Sequence, residues 1–281
     1  MKTESFILEF ITPCFCAGAD QSKAEIRAPS IRGQLRWWFR ALGGSKSEES
    51  EVFGTTSGEG GNASAIQVRA VTLQKGEPWT PPRVDPSSSE AYVYFFASVS
   101  GKTKGQRWTE HGNIPPQTTV RVTIKKIRKI TSKTAEDRLD LALKLWRTIG
   151  GMGLRITRGL GAFACAQAPM SKDQLEWTRD KLNSAGFGFH VHRTDLQSWQ
   201  LAIRESGALL KDPLRANMKA GKKGDRPSPL GTSRPRQTSA VYLRPVKMSD
   251  GLYGLIIFEA PSEKVLGPTS RKGAPAIKLL A

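Results

Sequence analysis

Arg32, Arg36 and Arg40 recur at every fourth position of the stretch IRAPSIRGQLRWWFRALGG, residues 26–44. In a helix that spacing lines three guanidinium groups along one edge. Guanidiniums fork onto phosphate or carboxylate oxygens. Neither Asp nor Glu occurs between residues 26 and 47, so the three charges have no local partner. Like charges at this spacing repel, and the pattern points to an anion. A carboxylate brought from elsewhere in the fold is the competing partner. At about 100° per residue, Ile31, Leu35, Trp38 and Leu42 cluster within about 60°, with Phe39 beside them, as a core-facing stripe. Trp37 flanks that stripe on its other side, where it serves base stacking, a subunit contact or half-buried packing.

A second candidate is GGMGLRITRGLGAF, residues 150–163. Glycines let backbone N–H groups approach a ligand closely, and Arg155 and Arg158 offer phosphate forks. The loop lacks the terminal G-K-[ST] of a P-loop and follows a helix rather than a strand, so it is neither a nucleoside-triphosphate nor a dinucleotide fingerprint. A plain helix-to-strand connection remains the alternative. Cys14 with Cys16, and His190 with His192, each alternate on a strand period and in principle supply four zinc ligands. More than 170 residues separate the pairs in nonstandard spacing, so no metal or other cofactor is expected. Catalysis has thinner support. His111 has no evident nucleophile or carboxylate partner, and Asp20 stands as a lone carboxylate, better read as a turn residue or a local ion pair.

The whole composition agrees with an anionic partner. Forty-three Lys and Arg face 25 Asp and Glu in 281 residues, a formal net charge of +18. Such an excess repels itself unless a polyanion neutralises it, and nucleic acid is the usual one. An acidic membrane would call for a basic amphipathic helix with a clean apolar face or a lipidation motif, and neither is evident. No apolar run approaches twenty residues, and MKTESFILEFITP lacks a signal-peptide pattern, so a cytoplasmic chain is expected. Cys14, Cys16 and Cys165 are too few for a disulfide framework.

These residues need a scaffold of two modest domains or one large one. Apolar alternation predicts strands at 5–11, 63–73 and 118–130, and aromatic AYVYFFASV (91–99) reads as another. Ser30 is placed to cap a helix from Ile31 to Leu42 that ends at Gly43-Gly44. A polar, locally acidic segment follows through residue 62. A helix spans about 135–149 and runs into the glycine loop and a short strand. Further helices are expected at 171–185 and 195–211, with a strand at GFGFHVH between them and a hairpin from SAVYLRPVKM and YGLIIFEA. Residues 212–238, rich in Gly, Pro and basic side chains, read as a mobile loop. Strand, helix, strands, helix, strand is the order of a ferredoxin-like or RRM-like sandwich, whose helix-free sheet face is open to RNA. The expected class is therefore α+β, with tandem ferredoxin-like domains at 1–170 and 171–281 and antiparallel sheets carrying helices on one face.

The chain also resembles a known family. Ala17-Gly18-Ala19-Asp20, then Arg27-Ala28-Pro29-Ser30-Ile31-Arg32-Gly33 and Leu35-Arg36-Trp37-Trp38-Phe39-Arg40-Ala41-Leu42, is similar to the opening of RAMP superfamily proteins of CRISPR–Cas systems. More narrowly it resembles the first-subunit family of the type III-B Cmr effector. That family favours G-G-x-G-x-R-x-R-R-G-[FL]-G, which residues 150–161 match except that Thr157 stands where an arginine is common. The first motif is long and specific, and SRPRQTSAVYLRPVKM (233–248) fits the C-terminal pattern more loosely.

The resemblance implies tandem ferredoxin-like domains and a place at one end of a multisubunit ribonucleoprotein. There the chain would meet the guide RNA toward its 3′ portion, or the target RNA paired to it, beside other RAMP subunits. It also implies that RNA cutting belongs to other subunits, so the chain itself is expected to be noncatalytic. The RNA-binding set expected is Arg27, Ser30, Arg32, Arg36, Trp37 and Arg40 from the helix and its lead-in, Gly153, Arg155, Arg158 and Gly159 from the glycine loop, and Lys222, Lys223, Arg234 and Arg236 from the basic loop, with Arg226 beside them. Arg155 and Arg158 are expected to approach the groove of the helix arginines. The alternatives are a RAMP endoribonuclease that processes guide precursors and a stand-alone basic RNA-binding protein.

Overall fold

A computed structural model describes residues 2–20, 22–56, 61–82, 84–85, 87–98, 112–215, 229–233, 236–261 and 276–280. Lys222, Lys223, Arg226, Arg234 and His111 lie outside the described residues, as does most of the expected basic loop.

The first half contains β1 (Thr3–Phe10), α1 (Ala28–Ala41), α2 (Lys46–Phe53), β2 (Ile66–Gln74), α3 (Ala91–Ser98), β3 (Thr119–Lys126), α4 (Lys133–Ile149) and β4 (Phe163–Cys165). The strands form an antiparallel sheet in the order β2-β3-β1-β4, the ferredoxin-like arrangement. Register follows the apolar alternation: Phe6 pairs with Val122, and Val122 with Ala70. Phe6, Leu8, Phe10, Val120, Val122 and Ile124 are buried on the face that α1 and α4 cover. On the other face Ser5, Gln67, Arg69, Val71, Arg121 and Lys125 are exposed, so helices cover one side only.

The second half contains α5 (Lys172–Ser184), β5 (Gly188–Leu196), α6 (Trp199–Leu209), the two-residue strands β6 (Thr232–Ser233) and β7 (Arg236–Gln237), β8 (Val241–Lys247) and β9 (Tyr253–Glu259). A three-stranded antiparallel sheet runs β5-β9-β8. The sheets fall on either side of residue 170 in sequence, yet one continuous core joins them. Trp38 of α1 stacks on Phe187 at 5.9 Å and 14°, and lies 5.5 Å from Phe258. Fully buried aromatics of this size dominate packing energy, so α1 fastens the two halves together.

Three local expectations change in the structure. Residues 91–98 form a helix, not a strand. Its aromatic composition favours a strand, but α3 packs on α6, where Gly207 lets the backbone of Ser89 come close; a Cβ there would meet Ser89 O at 2.3 Å. The polar segment after α1 folds as α2, started by a reciprocal cap: Glu48 N donates to Ser45 Oγ, and Ser45 N donates to Glu48 Oε2. Helix α1 begins at Ala28, earlier than Ser30 would set it. Pro29 fits the first turn, which has no backbone N–H partner to lose, and Ser30 Oγ instead accepts from the Cys16 thiol at 3.8 Å.

Candidate nucleic-acid interface

Helix α1 buries Ile31, Leu35, Trp38, Phe39 and Ala41 and leaves its arginines on an adjacent edge. That edge faces α2 and β2. Arg36 Nε and Arg40 Nε both donate to the carboxylate of Glu49, and Arg40 Nη2 adds a bond of 2.6 Å to Glu49 Oε1. Arg36 Nη2 also reaches Gly54 O at 3.2 Å, while Arg32 Nη2 donates to Phe53 O. The competing carboxylate that the arginine spacing called for is therefore Glu49. Its side chain is only 9% exposed, against 37% for Arg36 and 56% for Arg40. Burial alone would push the Glu49 carboxyl up; the bonds from Arg40 and Arg36 outweigh it and hold it below the usual range.

From the other side, Arg138 of α4 donates to Glu48 Oε2 at 2.6 Å, which with the cap at Ser45 holds the Glu48 carboxyl down to about 2. Arg138 also lies 5.6 Å from the Phe39 ring centroid, within cation–π range. Helix α2 is thus clamped by arginines from α1 and α4. Around this clamp run two open grooves. One, about 520 Å³, lies between Ala28, Arg32 and Arg36 of α1 and Ile66–Val68 of β2; the other, about 1210 Å³, is lined by Arg36, Arg40, Lys46 and Glu49. Arg36 and Arg40 share one carboxylate and Arg32 meets only a carbonyl, so the edge keeps a positive excess facing both.

Trp37 packs edge-on to Trp38 at 5.1 Å and against Tyr242 of β8 at 5.0 Å, which makes it part of the seam between the sheets. Arg27 pairs with Glu25 at 3.5 Å.

The glycine loop sits on the opposite edge of the first sheet, beside β4 and β8. Its glycines serve close backbone packing. At Gly153 (φ +84°) a Cβ would stand 2.6 Å from Phe15 O, and Leu154 N donates to that carbonyl at 2.9 Å. At Gly159 the φ of +96° favours glycine, and a Cβ would stand 2.9 Å from Ile203 Cδ1. Arg155 also adopts a positive φ, +59°, uncommon for a side chain other than glycine, asparagine or aspartate. Arg158 Nη2 donates to Leu230 O at 3.0 Å. Arg27 and Ser30 connect to this loop through residues 13–16, whereas Arg32, Arg36 and Arg40 turn toward α2 and β2. The structure accordingly separates the loop arginines from the groove of the helix arginines. Arg236 lies in β7.

The remaining chemistry-bearing residues have local partners. Asp20 accepts from the Ser22 hydroxyl at 2.6 Å and N–H at 3.0 Å, and lies 3.1 Å from Lys23 Nζ; these bonds hold its carboxyl low and close a turn. Burial raises the Cys14, Cys16 and Cys165 thiols, and Cys14 donates to Met152 O at 3.4 Å. His192 Nε2 lies 3.2 Å from Glu205 Oε2. Among the described residues no three His, Cys, Asp or Glu side chains gather as a metal site, and no helix is long and apolar enough to cross a membrane.

Glu49, the carboxylate that holds the helix arginines, and Arg244, buried against the glycine loop, are residues that sequence reasoning missed. Ser45-Lys46-Ser47-Glu48 carries the S-x-x-E capping pattern, which announces α2 and hence Glu49. Arg244, buried beneath the glycine loop, carries no comparable signal.

A strand-helix-strand-strand-helix-strand sheet with an arginine-edged first helix and a glycine loop before its last strand defines the class. The profile of the RAMP superfamily matches residues 7–164, and the chain belongs to that superfamily. Within it, the chain is 34% identical over 177 residues to CRISPR system Cmr subunit Cmr1-2 of Pyrococcus furiosus, covering 56% of this chain and 91% of that one. It is 29% identical over 192 residues to Cmr subunit Cmr1-1 of the same organism, covering 63% of this chain and about half, 51%, of that relative. The fold matches that of Cmr1 from Pyrococcus furiosus in its apo form, with TM-score 0.64 and 20% identity over 99% of this chain and 93% of that one. A chain of the type III-B Cmr-beta complex bound to cognate target RNA matches with TM-score 0.53 and 11% identity, over 91% and 93%.

Proposed function

We propose that the chain is a noncatalytic RNA-binding subunit of a type III-B CRISPR (Cmr) ribonucleoprotein effector, acting in antiviral defence in the cytoplasm. It holds the guide RNA toward its 3′ portion, the target RNA paired to it, or both, and helps assemble the complex with other RAMP subunits. The observation that carries this reading is the α1 edge: Arg36 and Arg40 held by one buried carboxylate and Arg32 by the Phe53 carbonyl, with Arg36 and Arg40 still open to solvent beside grooves. Preorganised guanidiniums lose little entropy on meeting phosphate, and base pairing rather than the protein would read sequence. Arg27, Ser30, Gly153, Arg155, Arg158 and Gly159 supply a second backbone contact on the other edge of the sheet. Lys222, Lys223, Arg234 and Arg236 are assigned to the RNA on their charge alone. Trp37 supports assembly through the seam it packs in.

The noncatalytic part draws support from what the acids are doing. Asp20 closes its own turn, Glu49 holds two arginines and Glu48 holds Arg138. The test is a pull-down of the tagged chain from its native host, with sequencing of bound RNA and identification of bound proteins, followed by incubation of the purified chain with guide precursor. Short RNAs carrying CRISPR repeat tags, several RAMP partners and an intact precursor are expected. Mixed cellular RNA without partners would leave a stand-alone RNA-binding protein, and a cleaved precursor would make the chain an endoribonuclease.

A further inference from the structure

Arg244 belongs to β8 of the second sheet, but its side chain ends beneath the glycine loop of the first, with the residue 2% exposed. Nη2 donates to Ile156 O at 3.2 Å. Nη1 faces Gly151, where a Cβ would stand 2.2 Å from that nitrogen, so the glycine makes the space the guanidinium occupies. Nε and Nη1 are buried without a hydrogen-bond partner among the described residues. Strand β8 is tied to the same loop by its backbone, Leu243 N donating to Thr157 O at 3.3 Å. Burial pushes the guanidinium down to about 10, which still leaves it charged at neutral pH.

A buried charge without a counter-charge is costly, and an apolar side chain of similar volume is commonly at least as stable. Packing alone therefore gives no reason for arginine at this position. In the loop that the guanidinium touches at Gly151 and Ile156, Leu154 is 44% exposed and Arg155 and Thr157 are half-buried, so the loop presents a surface beside the buried cation. Around the guanidinium the dielectric is low, so its field reaches that surface less screened than the field of an exposed lysine would be.

We propose that Arg244 is the buried cationic anchor of a phosphate site on the glycine loop. A phosphodiester of the bound RNA rests on residues 153–158, attracted from beneath by Arg244, which also fixes the loop through the Ile156 carbonyl. Arg244 is a positioning residue in this account, and the proposal rests on the RNA-binding reading above. It adds a residue of the second half to the RNA surface of the first, and so makes binding depend on how the two sheets are joined.

The test uses the full chain and a fluorescent oligouridine, titrated with Arg244→Met, Arg244→Lys and Gly151→Ala variants whose melting temperatures are also measured. Arg244→Met is expected to melt no lower than the unmodified chain yet to bind RNA about tenfold more weakly. Arg244→Lys should recover most of that loss. Gly151→Ala, which displaces the guanidinium without removing it, should weaken binding too, and should add little in the Arg244→Met background because the two act on one interaction. Unchanged affinity in Arg244→Met, whether or not its melting temperature falls, overturns the anchor and leaves the RNA reading standing. Should Arg244→Met not fold, Gly151→Ala decides: full affinity there overturns the anchor. If the unmodified chain binds no oligouridine and brings no guide RNA out of its host, the RNA reading falls and the anchor with it.

Discussion

On α1, Arg36 and Arg40 converge on the buried Glu49 carboxylate, and Arg32 is tied to Phe53 O. On the open face of the first sheet, Arg69, Arg121 and Lys125 stand exposed on β2 and β3 with no ion pair among the described residues. The register sets them diagonally across neighbouring strands, Arg69 opposite Thr123 and Arg121 opposite Val71. The arginines most conspicuous in sequence are thus partly committed to structure, while inconspicuous ones remain free. Periodic charge marks a face, but whether that charge is available depends on which carboxylate the fold carries to it. On α1 the commitment also gives the arginines fixed positions, which the long side chains on the sheet lack.

The sharpest way to break this contrast is to remove both partners of Glu49. Arg36→Ala with Arg40→Ala should destabilise the chain by about 3 kcal/mol, the low end of the range for stranding a buried charge because both arginines are partly exposed. Urea unfolding measures it, and a loss below about 1 kcal/mol would show Glu49 to be solvated rather than held.

Glu49→Gln should cost less, about 1–2 kcal/mol, because the amide still accepts hydrogen bonds. It should also steepen the salt dependence of RNA binding by up to about two units of slope as Arg36 and Arg40 are freed. An unchanged slope in the folded variant would count against a phosphate role for these arginines. Acid separates the regions further. The folded-state carboxyls of Glu48 (about 2) and Glu49 lie below the ordinary 4.5. Their contribution is therefore present above pH 4.5 and lost as pH falls toward 2, and Glu48→Gln should flatten that decline in a pH series of melting temperatures.

The smallest effect is expected on the sheet face. Arg69→Ala, Arg121→Ala and Lys125→Ala together should leave the urea midpoint unchanged, since surface charges without partners contribute little to stability. A clear destabilisation there would show that these cations are engaged after all.

Much of the scaffold was legible because its signals are local. Alternation placed β1, β2 and β3, 3.6-residue periodicity placed α1 and α4, and the hairpin of β8 and β9 followed from two apolar runs around a turn at Gly251. Two of the misreadings occur where packing overrides a local preference, whereas α2 carries its own local capping box. Residues 91–98 look like an aromatic strand but are helical against α6 and the gap at Gly207. Ser30 looks like a cap but takes a thiol hydrogen bond from Cys16 inside the first turn.

By itself the sequence determined the charge excess, the arginine edge of α1, its apolar stripe and the glycine loop, because each is a property of neighbouring residues and the periods of helix and strand. Tertiary structure alone decided the partners. It brought Glu49 under Arg36 and Arg40, stacked Trp38 on Phe187, and placed Arg244 beneath a loop more than 80 residues earlier in the chain. Charge pairing and burial are set by distance in space and by exclusion of water, and sequence separation fixes neither.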